Sequence, residues 1–264
     1  MSDGGRRRFS VRLWLGVALL VVGAGFVGYL AWELYGTNII AKHNQAAEVS
    51  RLQELWQQGL GPDAEKVTGG EVLVTPSPSN DPSPTKTPRT PGTPSSPQPI
   101  TNATPSPVSV EGQALALIRI PRFGPNYVIP VYEGTSDWDL AHGFGHYLGT
   151  AGAGQVGNYA VAGHRTTWGH PLLHILDLRP GDKVFVETRR FIYTYVLDTN
   201  PNNLIVPFYE NWVLRPVPNN PKPGGVEPAQ AQGQSLITMT TCTDFLGNVG
   251  RFVVFGHLVS TQKK

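Results

Sequence analysis

Cysteine is all but missing from this chain: Cys242 is the single one among 264 residues, so no disulfide can form within it. Charge is sparse as well. Asp, Glu, Lys and Arg make up 15% of the residues, the formal net charge is +2, and the one dense basic cluster is Arg6, Arg7, Arg8 and Arg12 at the N-terminus. A nucleic-acid partner calls for Lys and Arg massed on a folded face, so nucleic acid is excluded. The few acidic residues are scattered, which argues against a calcium site. Two histidine pairs, His142 with His146 and His170 with His174, have i, i+4 spacing, but neither has the glutamate of a zinc-binding helix, and Gly143, Gly145 and Pro171 interrupt them. The chain is therefore read as having no metal and no cofactor.

One long uncharged run is present. Leu13 to Trp32 is 20 residues without a charge, and at about 1.5 Å per residue it spans a hydrocarbon core of about 30 Å. The arginines before it favour the cytoplasmic side, so residues 1–12 are read as a cytoplasmic N-terminus and 13–32 as a single-pass signal anchor. The body of the chain then faces outward from the cell membrane. A cleaved signal would have a shorter apolar region and a small-x-small site, where this run ends in bulky residues.

Residues 33–74 form a juxtamembrane segment. Within 37–67, Ile39, Ile40, Ala46, Val49, Leu52, Leu55 and Trp56 fall at helical spacing, predicting a short helix. From 75 to 110 the composition turns to Pro, Ser and Thr, with eleven prolines between Thr75 and Pro107. Such a linker favours an extended form at about 3.1 Å per residue, long enough to hold a domain about 100 Å from the bilayer.

Residues 111–264 are the one segment able to bury a core. Strand signals dominate it: Leu115–Ile120, Tyr127–Val131, Asn158–Gly163, Lys183–Glu187, Ile192–Leu197, Ser235–Thr241 and Arg251–Val259 are rich in β-branched or aromatic residues and bounded by Gly, Pro or Asn. Helical patterns are confined to Ser136–Leu148 and Pro171–Leu178. A mostly β domain with short helices follows, a closed barrel being the economical way to remove strand edges, with a sandwich as the other possibility.

Alternation along Ser235–Cys242 puts Leu236, Thr238, Thr240 and Cys242 on one face, and Ile237, Met239 and Thr241 on the other. If Ile237 and Met239 fill the core, Cys242 points out. Arg251 opens the next strand after a short Gly-rich loop, so an antiparallel pairing sets it opposite Cys242, where a cation favours a thiolate and can hold an oxyanion. His164 ends a strand at a loop, a position that sites favour. His257 lies in an apolar strand and reads as a packed core residue.

The run Gly157-Asn158-Tyr159-Ala160-Val161-Ala162-Gly163-His164-Arg165-Thr166-Thr167-Trp168-Gly169, the later Leu178-Arg179-Pro180-Gly181-Asp182, and Thr238-Met239-Thr240-Thr241-Cys242 with Arg251 nine residues on, resemble the sortases, class E most of all. Thr243 and Asp244 depart from the His or Asn and then Pro common in that class, and Met239 stands for its more usual Leu. The resemblance implies an eight-stranded sortase-type β-barrel and thiol transpeptidation, with His164, Cys242 and Arg251 catalytic and Thr240 and Thr241 beside the substrate. It also implies partners: secreted proteins with a C-terminal LPxTG or LAxTG sorting signal, and a peptidoglycan or pilin amine as acceptor. Two other functions compete. A non-catalytic envelope-binding module on a stalk would carry a shielded Cys242, and a cysteine L,D-transpeptidase would carry an S-H-G-C-type signature that is absent here.

Overall fold

The computed structural model describes residues 11–62, 112–228, 233–244 and 249–264. The linker 75–110 and Arg6–Arg8 lie outside them. Helix α1, Val11–Ala31, is apolar all round and has none of its 19-residue window Leu13–Ala31 buried, and it is long and apolar enough to cross a membrane. A π-helical turn, Trp32–Gly36, joins it to helix α2, Thr37–Gln57. A side chain at Gly36 would run into the Trp32 indole, so glycine lets the turn close over that ring.

The remaining elements are β1 Ala114–Arg119, β2 Val128–Glu133, α3 Asp137–His142, β3 Phe144–His146, β4 Gly157–Ala162, β5 Lys183–Glu187, β6 Phe191–Leu197, β7 Ile205–Val206, β8 Ser235–Cys242 and β9 Arg251–Lys263. Neighbours run β6-β5-β1-β2-β3-β4-β8-β9, and a β6–β9 pairing joins the two ends into a closed eight-stranded barrel. The expected barrel is therefore observed, and the sandwich is not. β7 is an addition, pairing with the start of β9 where β6 does not reach.

Inside the barrel lie Ile118, Val131, Phe144, Val161, Val184, Val186, Tyr195, Ile237, Met239 and Val254. A second cluster, with Leu204, Val206, Trp212 and Val213 against Val253 and Phe255, covers the outer face of β9. Each large side chain fully buried this way contributes roughly 1.5–3 kcal/mol.

Two helical expectations need correction. Ser136–Leu148 is helical only to His142: Ser136 and Asp139 cap α3 reciprocally, and at Gly143 the backbone runs so close to the Pro130 carbonyl that a Cβ would collide with it. The chain then pairs with β2 as β3, in parallel. Pro171–Leu178 holds a single 3-10 turn, Ile175–Asp177.

The distance-setting role read for the linker 75–110 lies outside the described residues. Helix α2 packs on the barrel through Leu52 and Trp56 against Ala114, Leu117 and Tyr132. Gly61 and Pro62 line the same cavity as Gly112 and Gln113. Helix α2, joined to α1 by the π-helical turn, is thereby docked on the barrel.

Candidate active site

Three neighbouring strands, β4, β8 and β9, converge at one end of the barrel. Register pairs Cys242 with Arg251 across the antiparallel β8–β9 ladder. β4 runs parallel to β8 with Ala162 beside Thr240, and the ladder continues one step further as the Gly163 N–H donates to the Thr240 carbonyl at 3.1 Å. His164 follows Gly163 directly, just past this end of β4, while Cys242 closes β8 two residues beyond Thr240. With Ile237 and Met239 in the core, alternation turns Cys242 outward on the face of Thr238 and Thr240.

Arg251 is buried, 3% exposed, under the loop after β7. One terminal nitrogen donates to the Glu210 carbonyl at 2.5 Å and to Asn211 Oδ1 at 3.4 Å, and the other donates to the Tyr147 hydroxyl at 3.4 Å. The Phe208 ring lies 6.0 Å beneath the guanidinium. Its Nε is buried without a partner among the described residues, and so is that of Arg165. These are two donors with capacity to spare at the Cys242 end of the barrel.

Burial pushes the Cys242 thiol above its ordinary value, with Asp244 adding to the rise and the Arg165 cation opposing it. Burial likewise lowers His164, against a smaller opposing pull from Asp137. Both groups therefore rest neutral near pH 7. The cation acting on the thiol is Arg165, where the sequence pointed to Arg251. Arg165 reaches across from the β4 end to donate to the Thr243 carbonyl at 2.6 Å, and it stacks 5.6 Å over Phe252.

The two threonines separate. The Thr240 hydroxyl shares a 3.0 Å hydrogen bond with Tyr147, on the Cys242 face. Thr241 turns inward and donates to the Gly163 carbonyl at 2.6 Å, so its hydroxyl fixes the residue preceding His164 and is not free for a substrate. Tyr147 and Arg165 were missed from the sequence. Arg165 stood in the quoted motif beside His164, whereas nothing local marks Tyr147, whose partner Thr240 is 93 residues away.

The other histidines are engaged elsewhere. His146 lies in β3, buried, with Nδ1 2.8 Å from Glu133 and its ring stacked on Tyr159. His142 ends α3, stacked on Trp138, so the first pair shares no helix face. His170 lies in the loop after β4 and His174 faces Asp177 at 3.0 Å. His257 is not a core residue: it is partly exposed on β9 with Nδ1 2.7 Å from Asp198.

Residues 118–259, more than half of the chain, match the family model described as Sortase domain. The chain belongs to the sortase family. Sortase SrtE1 of Streptomyces coelicolor is 35% identical over 176 residues, covering 62% of this sortase and 46% of that protein. SrtE2 of the same organism is 29% identical over 109 residues, 41% of this chain and 40% of that protein. The chain thus spans less than half the length of these curated relatives. Among solved structures, sortase E from Streptomyces avermitilis superposes with a TM-score of 0.51 at 37% identity, over 58% of this chain and 92% of that one. Sortase E1 from Streptomyces coelicolor, with a tripeptide in the active site, gives 0.50 at 31% identity, over 58% and 91%.

Proposed function

We propose that this sortase is a membrane-anchored cysteine transpeptidase, with its barrel on the outer side of the membrane and Cys242 as nucleophile. It cleaves the Thr–Gly bond of an LPxTG or LAxTG sorting signal and transfers the threonyl carbonyl to an envelope amine, either on a peptidoglycan stem or on a pilin lysine. One observation carries this reading: the parallel β4–β8 and antiparallel β8–β9 registers, which bring the ends bearing His164, Cys242 and Arg251 together.

The chemistry follows from the groups. Cys242 gives its proton to His164, and the thiolate attacks the threonine carbonyl carbon, forming a C–S bond and an oxyanion. Arg251 holds that oxygen through its unshared donors. The C–N bond breaks as imidazolium His164 passes its proton to the departing glycine amine, leaving a thioester and a neutral imidazole. The acceptor amine then attacks the thioester, loses its proton to His164, and displaces the sulfur. Thr240 and Tyr147 supply a polar wall beside the sulfur, and Thr241 positions the strand end that carries His164.

Cleavage of LAxTG and LPxTG peptides by the wild type and Cys242→Ala tests the proposal. The alanine variant is expected to lose all detectable cleavage and all thioester adduct by intact mass. Retained cleavage removes Cys242 as nucleophile.

A further inference from the structure

The segment after β4 has an unusual backbone. Trp168, Gly169 and His170 all have positive φ, at 52°, 80° and 44°. A non-glycine residue in that region costs on the order of 1–3 kcal/mol unless its surroundings hold it there. Three hydrogen bonds from α2 do so. Asn38 Oδ1 accepts from the Gly169 N–H at 2.7 Å, Asn38 Nδ2 donates to the Thr166 carbonyl at 3.3 Å, and Gln45 Nε2 donates to the Trp168 carbonyl at 3.2 Å.

Asn38 and Gln45 are seven residues apart, two turns along one face of α2. A Cβ at Gly169 would push the Gln45 amide aside, and the positive φ there favours glycine. A cavity of about 340 Å³ lined by Gln45, Tyr127, Gly169 and His170 lies beside these bonds, so polar contacts and not tight packing secure the segment.

Gln45 is 2% exposed and its Oε1 has no partner among the described residues. Leucine there would bury more apolar surface without an orphaned acceptor, which costs about 1–3 kcal/mol. What glutamine adds is the Trp168 contact. The same segment begins at His164 and Arg165, and the Leu172 N–H returns to the His164 carbonyl at 3.0 Å, closing it into one unit. Helix α2 lies outside the matched sortase segment 118–259.

We infer that α2 is a working part of the active site: Asn38 and Gln45 are positioning residues that clasp residues 165–170 and thereby orient His164, joining the membrane anchor mechanically to the chemistry. Asn38 follows Ala31, the end of α1, by seven residues, so the clasp lies about 10 Å beyond the anchor helix. The inference rests on the transpeptidase reading for the role of His164, but the clasp itself can be measured apart from it.

The test uses the full chain in phospholipid nanodiscs, comparing wild type, Asn38→Ala/Gln45→Ala and Asn38→Asp by peptide cleavage, by its pH profile and by hydrogen exchange at the Gly169 amide. Misplacing a catalytic group by about 1 Å costs up to about 100-fold, so the double variant should lose at least about 10-fold in kcat, with KM within about twofold. Its acid limb should move, and Gly169 exchange should accelerate. Asn38→Asp keeps the acceptor for the Gly169 N–H but sets an oxygen against the Thr166 carbonyl, so its kcat and Gly169 exchange should fall between those of the double variant and wild type. Faster exchange with kcat and the pH profile unchanged overturns the positioning role; unchanged exchange overturns the clasp. If the double variant does not fold, Gln45→Ala alone is read by the same measures. Retained cleavage by Cys242→Ala strikes the transpeptidase reading, while the exchange result still decides whether α2 holds the segment.

Discussion

Arg251→Lys separates a chemical role for this guanidinium from a merely structural one. The planar fork spans three partners at once, the Glu210 carbonyl at 2.5 Å, Asn211 Oδ1 at 3.4 Å and the Tyr147 hydroxyl at 3.4 Å, while its Nε is left over. A lysine ammonium keeps the charge as a single compact donor group and cannot serve both the loop and a developing oxyanion from that strand position. The Glu210 link is the shortest of the three, and a hydrogen bond to a charged group contributes about 1.5–3 kcal/mol. Thermal unfolding should therefore fall by roughly 4–8 °C. Losing one oxyanion donor costs about 10²–10³ in kcat. The expected result at saturating peptide is a kcat lower by about two orders of magnitude, KM little changed, and slower build-up of the thioester by single-turnover mass spectrometry. If Arg251→Lys shows the stability loss but cleaves within about threefold of wild type, Arg251 is only a strut beneath the β7–β8 loop.

The remaining predictions concern protons and the buried contact between His146 and Glu133. Because burial raises Cys242 and lowers His164, kcat/KM should form a broad bell: its acid limb lies below the ordinary 6.5 of imidazole and its alkaline limb above the ordinary 9.0 of the thiol. Arg165→Gln removes a cation that favours the thiolate and should move the alkaline limb further up; a shift downward contradicts the assignment. His146→Ala leaves the buried Glu133 carboxyl without its 2.8 Å partner, which costs about 1–3 kcal/mol and should lower the unfolding temperature by about 4–8 °C. A fall below about 2 °C in a calorimetric scan would mean that water or another group replaces the imidazole.

What could be read from the sequence was what depends on near neighbours. The alternation of Ile237 and Met239 with Thr238 and Thr240 gave the inside and outside of β8, and hence the direction of Cys242, before any fold was known. The Lys183–Glu187 strand agrees with the structure at both ends. β3 was hidden because Phe144-Gly145-His146 is too short to show a period, and its identity as a strand depends on β2 offering a parallel edge. β7, two residues long, exists only through β9.

Helix α2 misled in a different way. Ile39, Ile40 and Ala46 marked an apolar stripe in the sequence, yet all three are exposed, and the buried face runs through Ala41, Gln45, Leu52 and Trp56. Asn38 and Gln45 carry no burial signal in the sequence, since amides are ordinarily exposed. Their partners are carbonyls and an amide more than 120 residues away, and no local pattern encodes that meeting.

The resting state of the sulfur also bears on its oxidation. The thiolate is the form that oxidants attack, and with no second cysteine in the chain there is no resolving thiol to restore it by an internal disulfide. Burial, aided by Asp244, keeps Cys242 protonated, and the same burial keeps His164 ready to accept that proton. The cost falls on turnover. Free groups with ordinary values of 6.5 and 9.0 would hold the thiolate–imidazolium pair in about 0.3% of molecules before their mutual attraction is counted. Burial lowers that fraction further, so under the proposed mechanism the chemistry depends on how accurately His164 is held when the proton crosses. With the clasp inferred for α2, that accuracy comes from opposite sides, Thr241 fixing the Gly163 carbonyl from β8 while Asn38 and Gln45 fix the segment beyond from α2.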